Sequence, residues 1–255
     1  MQAKINSAHE SRKFLDMFGD KAPAVVSDGD RTLWCENVAE HGMGVPLIIK
    51  MLRQGRIPVA IESIKGYFEI KRAVKSNPSL GSDPVEGLQM FYSKLKRAGI
   101  GTKDEMAELA FRYILHHQVL STSVILKGFN TRFLATCNGS SVAEAANKVF
   151  TFRSMVCNTD VFYLDQSKSG QKPYKIDTID IKIKDGEDKA RYVYDMLNNQ
   201  GIRLKDCVYM GDGPNDIPSM MIAGFPVASP FATEEVRAVA HHILTDISIV
   251  AFPHA

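Results

Sequence analysis

The stretch Pro23–Trp34, PAVVSDGDRTLW, sets two aspartates one residue apart, Asp28 and Asp30, after a short apolar run, with a hydroxyl at Thr32. Carboxylates this close repel unless a cation sits between them or one holds a proton. Two chemistries suit such a pair. It can share a hard cation such as Mg²⁺, which takes oxygen ligands in an octahedral shell. Alternatively, one aspartate is a nucleophile that accepts a phosphoryl group and the other a proton donor. An acidic turn after a strand has the same composition, so the pair alone does not choose.

Three further clusters carry candidate chemistry. In ATCNGSS, Ala135–Ser141, the hydroxyl of Thr136 and the small or polar residues Cys137 and Asn138 precede the helical pattern SVAEAANKVF. The free N–H groups of a helix start form a ready anion site; a plain serine N-cap at Ser140 or Ser141 is the alternative. In DGEDKARYVYDML, Lys189 stands in the first helical turn, where a cation opposes the helix dipole, so its placement carries information. In YMGDGPNDIPSM, Tyr209–Met220, glycines let the backbone approach a ligand, and Asp212, Asn215 and Asp216 offer oxygens on a tight loop. The spacing is not that of an EF-hand.

The elements that would position these clusters follow from the apolar runs. Pro23–Ser27, Thr131–Cys137, Cys207–Asp212 and Phe225–Pro230 are short, apolar and closed at once by polar or small residues. Such strands alternating with helices predict a parallel sheet covered on both faces, with ligands bound beyond the strands' carboxyl ends. Residues 34–116 read differently. TKDEMAELAFRYILHH opens with an N-cap Thr102 and shows helical apolar spacing, and NPSLGSDP, Asn77–Pro84, is a loop dividing the region. The segment Asp160–Lys184 alternates polar and apolar residues around a Ser-Gly turn, as a β-hairpin or flap does. The expected fold is α/β: a doubly wound, Rossmann-like parallel sheet built from 1–33 and 117–255, with an inserted α-helical cap at 34–116.

Composition bounds the rest. The chain has 255 residues, 45% hydrophobic and 24% charged, with a formal net charge of +2. This suits a soluble globular protein and gives no argument for nucleic acid or an acidic membrane surface. Cys35, Cys137, Cys157 and Cys207 form no CxxC pair, which predicts reduced thiols in a cytoplasmic protein. The N-terminus lacks the apolar run of a signal peptide, and no stretch approaches a membrane span.

Taken in order, DGDRT, a Thr after an apolar strand, a lysine at a helix start and GDGPND resemble the haloacid dehalogenase superfamily of phosphohydrolases. The subgroup resembled has a helical cap between the first and second motifs, as in phosphoserine phosphatase. The resemblance implies that Asp28 is the nucleophile that becomes an aspartyl-phosphate, and that Asp30 protonates the leaving oxygen and then activates water. It implies that Thr136 and Lys189 hold the phosphoryl oxygens, with Cys137, Asn138 and Asn215 in the substrate-binding set. It implies Mg²⁺ bound by Asp28, Asp212, the backbone carbonyl of Asp30 and, nearby, Asp216. The second motif departs from the family, since Thr136 is followed by Cys-Asn where serine and glycines are usual. In the cap, Phe68, Glu69 and Arg72 of GYFEIKR faintly resemble the substrate grip of phosphoserine phosphatase, at a different spacing. The implied function is a Mg²⁺-dependent phosphatase of a small phosphomonoester, phosphoserine-like compounds being candidates. The alternatives are a phosphotransferase to another hydroxyl, a phospho-Asp signalling protein and an inactive scaffold that binds partners through the cap. The sequence does not give the oligomeric state.

Overall fold

The apolar run before Asp28 forms a strand three residues long, Val25–Ser27 (β1), buried throughout. A strand buried on both faces has no reason to alternate, which is why the run reads as continuous apolar sequence. The computed structural model describes residues 11–17, 21–36, 38–76, 84–98, 101–164, 174–245 and 247–249. Numbered in chain order, β1 is joined by Arg132–Ala135 (β2), Ser154–Val156 (β3), Val208–Gly211 (β6), Phe225–Ala228 (β7) and His242–Ile243 (β8). All pair in parallel, in the order β3-β2-β1-β6-β7-β8.

Helices Leu120–Gly128 (α5), Ser140–Phe150 (α6), Gly186–Asn198 (α7), Ile217–Ile222 (α8) and Glu234–Val239 (α9) flank this sheet. Neighbouring residues of one strand enter opposite cores. Val25, Leu134, Val208 and Met210 lie in one buried cluster, and Val26, Phe133 and Tyr209 in the other. That is the signature of a sheet covered on both faces, as expected from its sequence. Strands β3 and β8 have no counterpart among the expected ones. They are three and two residues long at the sheet margins, too short for a period to emerge.

Between β1 and β2 the chain is helical. It runs through a π-helix, Val38–Gly44, then Val45–Arg53 (α1), Ile57–Ser76 (α2), Pro84–Ala98 (α3) and Lys103–His116 (α4). Thr102 caps α4 in a reciprocal capping box with Glu105, as its sequence predicts. The outgoing and returning chains are bound side by side: Cys35 N donates to His117 O at 3.0 Å and Val119 N to Leu33 O at 2.9 Å. The segment after β3 forms an antiparallel hairpin of Thr159–Leu164 (β4) and Tyr174–Asp180 (β5). It leans on the helical insertion through a Lys96–Asp177 ion pair and through Ile176 N to Gly101 O at 2.9 Å. Of the expected loop Asn77–Pro84, residues 77–83 lie outside the described residues, as does the Ser-Gly turn within 165–173, and Pro84 opens α3. Among the described residues no helix is long and apolar enough to cross a membrane.

Candidate active site

The carboxyl ends of β1, β2 and β6 are adjacent, because β1 pairs with both others. The chain order departs to both sides of β1, which is where an open parallel sheet forms a crevice. Asp28 leaves β1 with its N–H on Met210 O at 2.9 Å. The chain then turns tightly. The N–H groups of Thr32 and Leu33 reach back to Gly29 O at 3.2 and 2.8 Å, and Arg31 holds a left-handed φ of 56°. Gly29 is required here by packing, since an added Cβ would stand 2.5 Å from Cζ2 of the buried Trp34 ring.

Lys189, fully buried on α7, fills the centre of the crevice. Its Nζ donates to Asp28 Oδ1 and Asp216 Oδ1, both at 2.6 Å. Asp185 caps α7 through Asp188 N at 2.8 Å, so the first turn is fixed where Lys189 leaves it. Asp28, Asp212 and Asp216 bring carboxylate oxygens within 4.8 Å of one another, all buried. Asp216 accepts from Lys189 and from Tyr209 OH, 2.9 Å, on one oxygen, and from the N–H groups of Asp212 and Gly213, 3.1 and 3.2 Å, on the other. Its acceptor positions are thus filled. Asp212 accepts from Thr32 Oγ1 at 3.3 Å and faces Arg31 Nε at 3.7 Å. Among the described residues, no hydrogen bond reaches Asp28 Oδ2.

Three buried carboxylates with one buried lysine leave an excess of negative charge. Burial, with the Asp216 and Asp30 charges, pushes the Asp28 carboxyl up to about 7 against the pull of Lys189. Burial and the Asp28 and Asp216 charges hold Asp212 well above the usual carboxylate range. Burial disfavours the Lys189 charge, but Asp216 and Asp28 outweigh it and raise its pKa well above normal. Hard oxygen donors around uncompensated charge match what a small divalent cation requires.

Asp30 faces elsewhere. Its Oδ1 accepts from Trp34 Nε1 at 2.5 Å and Val38 N at 3.1 Å, and its Oδ2 from Asn138 Nδ2 at 3.0 Å. Burial raises its pKa, and these donors oppose the rise. The loop after β2 brings up Thr136, whose Oγ1 accepts from both the N–H and the amide of Asn138 at 3.2 Å. Cys137 Sγ accepts from Asn215 Nδ2 at 3.2 Å, and burial pushes its thiol up to about 11.

The N-terminus of α6 differs from expectation. Gly139, not a serine, is the N-cap, and the anion there is internal: Asp160 Oδ2 accepts from Ser141 N at 2.7 Å. Tyr92 of α3 donates its hydroxyl to the same carboxylate.

Residues 172–249 match the family model for haloacid dehalogenase-like hydrolase. A phosphoserine phosphatase holding a phospho-aspartyl intermediate analogue superposes with TM-score 0.62 at 15% identity, over 89% of this chain and 95% of that one. A substrate-bound phosphoserine phosphatase gives 0.61 at 14% identity, again over 89% and 95%. A probable phosphoserine phosphatase from Vibrio cholerae gives 0.59 at 16%, over 94% of this chain and 68% of that one. Residues 172–249 are haloacid dehalogenase-like, and the solved structures share the fold. A search of curated proteins finds no match.

The crevice gathers Asp28, Asp30, Thr136, Cys137, Asn138, Lys189, Asp212, Asn215 and Asp216. The Asp30 carboxylate lies outside the acidic cluster, where three N–H donors hold it toward Trp34 and Asn138, and only its backbone carbonyl was expected as a ligand. The amides of Asn138 and Asn215 are engaged with neighbouring side chains. Of the cap residues, Phe68 and Arg72 are exposed, and the Glu69 side chain lies outside the described residues. Sequence reasoning missed Tyr92, Asn158, Asp160 and Tyr209 as parts of this site, and did not pair Trp34 with Asp30. Asn158 clamps the loop after β2, donating to Cys137 O at 2.6 Å while accepting from the N–H groups of Lys182 and Ile183.

Proposed function

We propose that this chain is a Mg²⁺-dependent phosphatase of small phosphomonoesters, acting through an aspartyl-phosphate on Asp28 in the cytoplasm. One observation carries the reading: Asp28 has one oxygen fixed by Lys189 and the other facing a buried acidic cluster, while Asp30 is held apart by its own donors. Two adjacent carboxylates in such different surroundings suit different roles, nucleophile and proton carrier. The buried oxygen cluster fits Mg²⁺, with Asp28 Oδ2, Asp212 and the Asp30 carbonyl as ligands and Asp216 contributing charge. When bound, the cation offsets charge on the phosphoryl oxygens and on Asp28.

The chain's own groups do the rest. Lys189 orients the nucleophilic carboxylate and neutralises charge beside it. The Thr136 hydroxyl can turn its proton toward a phosphoryl oxygen, because both bonds from Asn138 treat it as an acceptor. Asp30 gives a proton to the leaving oxygen, then takes one from water. The helical insertion, as a cap over 34–116, covers the crevice and selects the leaving group. Phosphoserine-like esters are the first candidates. All four cysteines are free, which supports a reducing compartment.

The test is a panel of phosphomonoesters with Mg²⁺ or excess chelator, alongside Asp28→Asn. Activity should need the metal, and the variant should form no phosphoenzyme. Full turnover in excess chelator, or phosphorylation of Asp28→Asn at the normal rate, would refute the mechanism.

A further inference from the structure

We propose that Trp34 is a positioning residue for Asp30, its indole N–H fixing which carboxylate oxygen carries the proton; the proposal rests on the phosphatase reading above.

Asp30 Oδ1 accepts two N–H donors, from the Trp34 ring at 2.5 Å and the Val38 backbone at 3.1 Å. A carboxylate oxygen has two lone-pair positions, so Oδ1 is saturated. Among the described residues, Oδ2 accepts only the Asn138 amide, at 3.0 Å, which leaves one of its two positions open. The mobile proton therefore belongs on Oδ2. The same Asn138 amide reaches Thr136 Oγ1 at 3.2 Å, so Oδ2 is turned toward the hydroxyl assigned to the phosphoryl group.

Trp34 is fixed well enough to impose this. It is fully buried, its ring lies against Gly29 between the two aspartates, and its backbone bridges to Gln118 where the chain re-enters the core. The ring cannot slide without moving either the nucleophile's turn or the root of the insertion. Val38, the other donor to Oδ1, opens the π-helix with which the insertion begins.

As Asp28 attacks phosphorus, the P–O bond to the leaving group breaks and the electron pair stays on that oxygen, which takes the proton from Asp30 Oδ2. Asp30 is then a carboxylate whose Oδ2 removes a proton from water. The water oxygen attacks phosphorus, the Asp28–P bond breaks, and phosphate and a neutral Asp30 remain.

The bland reading is that Asp30 merely satisfies a buried indole N–H. The two readings separate by experiment. Trp34 is the only tryptophan, so a tryptophan auxotroph fed 3-benzothienylalanine replaces this ring alone and at nearly constant shape. The analogue lacks the N–H. Whole protein with Mg²⁺ is assayed on a leaving-group series from p-nitrophenyl phosphate to alkyl phosphates. The analogue protein should lose about 10- to 100-fold in kcat/KM on alkyl phosphates and less than about 3-fold on p-nitrophenyl phosphate, since only poor leaving groups need a well-aimed acid. Asp30→Asn in the analogue background should cost no more than in the native one, because both remove the same proton delivery. An active protein whose analogue form keeps the native leaving-group dependence, or falls equally on all esters, overturns the proposal alone. Native protein inert on the whole series overturns the phosphatase reading and the proposal with it.

Discussion

Without a divalent cation, the acidic cluster should make this protein less stable as pH rises from 5 to 7.5. The Asp28 carboxyl moves from 3.8 to about 7 on folding. A carboxyl raised on folding keeps its proton longer in the native state, so the native state binds more protons between those values. Its stabilisation is complete below about pH 4 and fades as pH climbs through 7. Integrating for this one group, the loss between pH 5 and 7.5 is about 2–3 kcal/mol. For a chain of this size that is roughly 5–10 °C in Tm. Asp212, raised in the same direction, adds to the fall. Mg²⁺ should reverse it. Cation binding needs deprotonated carboxylates, and saturation at about 100 times Kd contributes about 2.7 kcal/mol. The assay is thermal unfolding across that pH range in chelator and in excess Mg²⁺. The two curves should diverge as pH rises, and Asp28→Asn should flatten the chelator curve. Parallel curves, or an unchanged slope in Asp28→Asn, would refute the argument that these carboxylates are uncompensated.

Other perturbations test other parts of the crevice. Lys189→Met leaves Asp28 and Asp216 without their shared partner and should cost about 3–5 kcal/mol in chelator by denaturant unfolding, less with Mg²⁺ present. Gly139→Ala has no backbone cost, since φ is −73°, but its Cβ would overlap Asp160 Oδ1; it should cost about 2–4 kcal/mol. Shortening the acid in Gly139→Ala/Asp160→Ser should cost less than the sum of the single changes. Arg31→Gly relieves a left-handed arginine and removes a cation beside Asp212, so Mg²⁺ affinity by calorimetry should rise several-fold, about 1 kcal/mol, with Tm nearly unchanged.

What was legible in the sequence tracks whether a residue breaks a local rule. Asp28 and Asp30 stand out because like charges follow a buried run, and Lys189 because it opposes a helix dipole. The central strands were legible because burial on both faces makes them uniformly apolar. Trp34 was not legible as a partner of Asp30, since a tryptophan after a turn satisfies every expectation of a core residue. Asp160 was read as one polar position in an alternating hairpin. Its role depends on Tyr92 and Ser141, brought to it only by the tertiary fold. Asp216 illustrates the limit within a motif. The loop composition marks it as an oxygen donor, but only the fold shows its oxygens occupied by Lys189, Tyr209 and two backbone N–H groups.

The occupant of the α6 N-terminus also constrains where a phosphoryl group can lie. The notable anion site of the loop after β2 is filled by the chain's own Asp160, so that helix end cannot also take a phosphate. On the proposed reading, phosphoryl oxygens fall to the groups nearer Asp28: the Thr136 hydroxyl, the Lys189 ammonium and the Cys137 backbone N–H, which no described acceptor takes up. All three are set by contacts from outside their own loop. Asn158, at the base of the hairpin, donates to the Cys137 carbonyl and accepts at Oδ1 from the N–H groups of Lys182 and Ile183, which ties the stretch before α7 to that loop. Tyr92 of the insertion holds Asp160 against the next residues along. Val38 and Trp34, at the insertion's root, hold Asp30. The insertion thus touches the loop after β2 through two separate carboxylates, one at the helix end and one at the proton carrier. A motion that lifted the insertion would have to break the Tyr92 contact, loosen Asp30, or bend the chain between them. On the proposed reading, an opening that shifts Trp34 and Val38 at the insertion's root also releases Asp30 from two of its donors, so that route of opening misaligns the proton carrier.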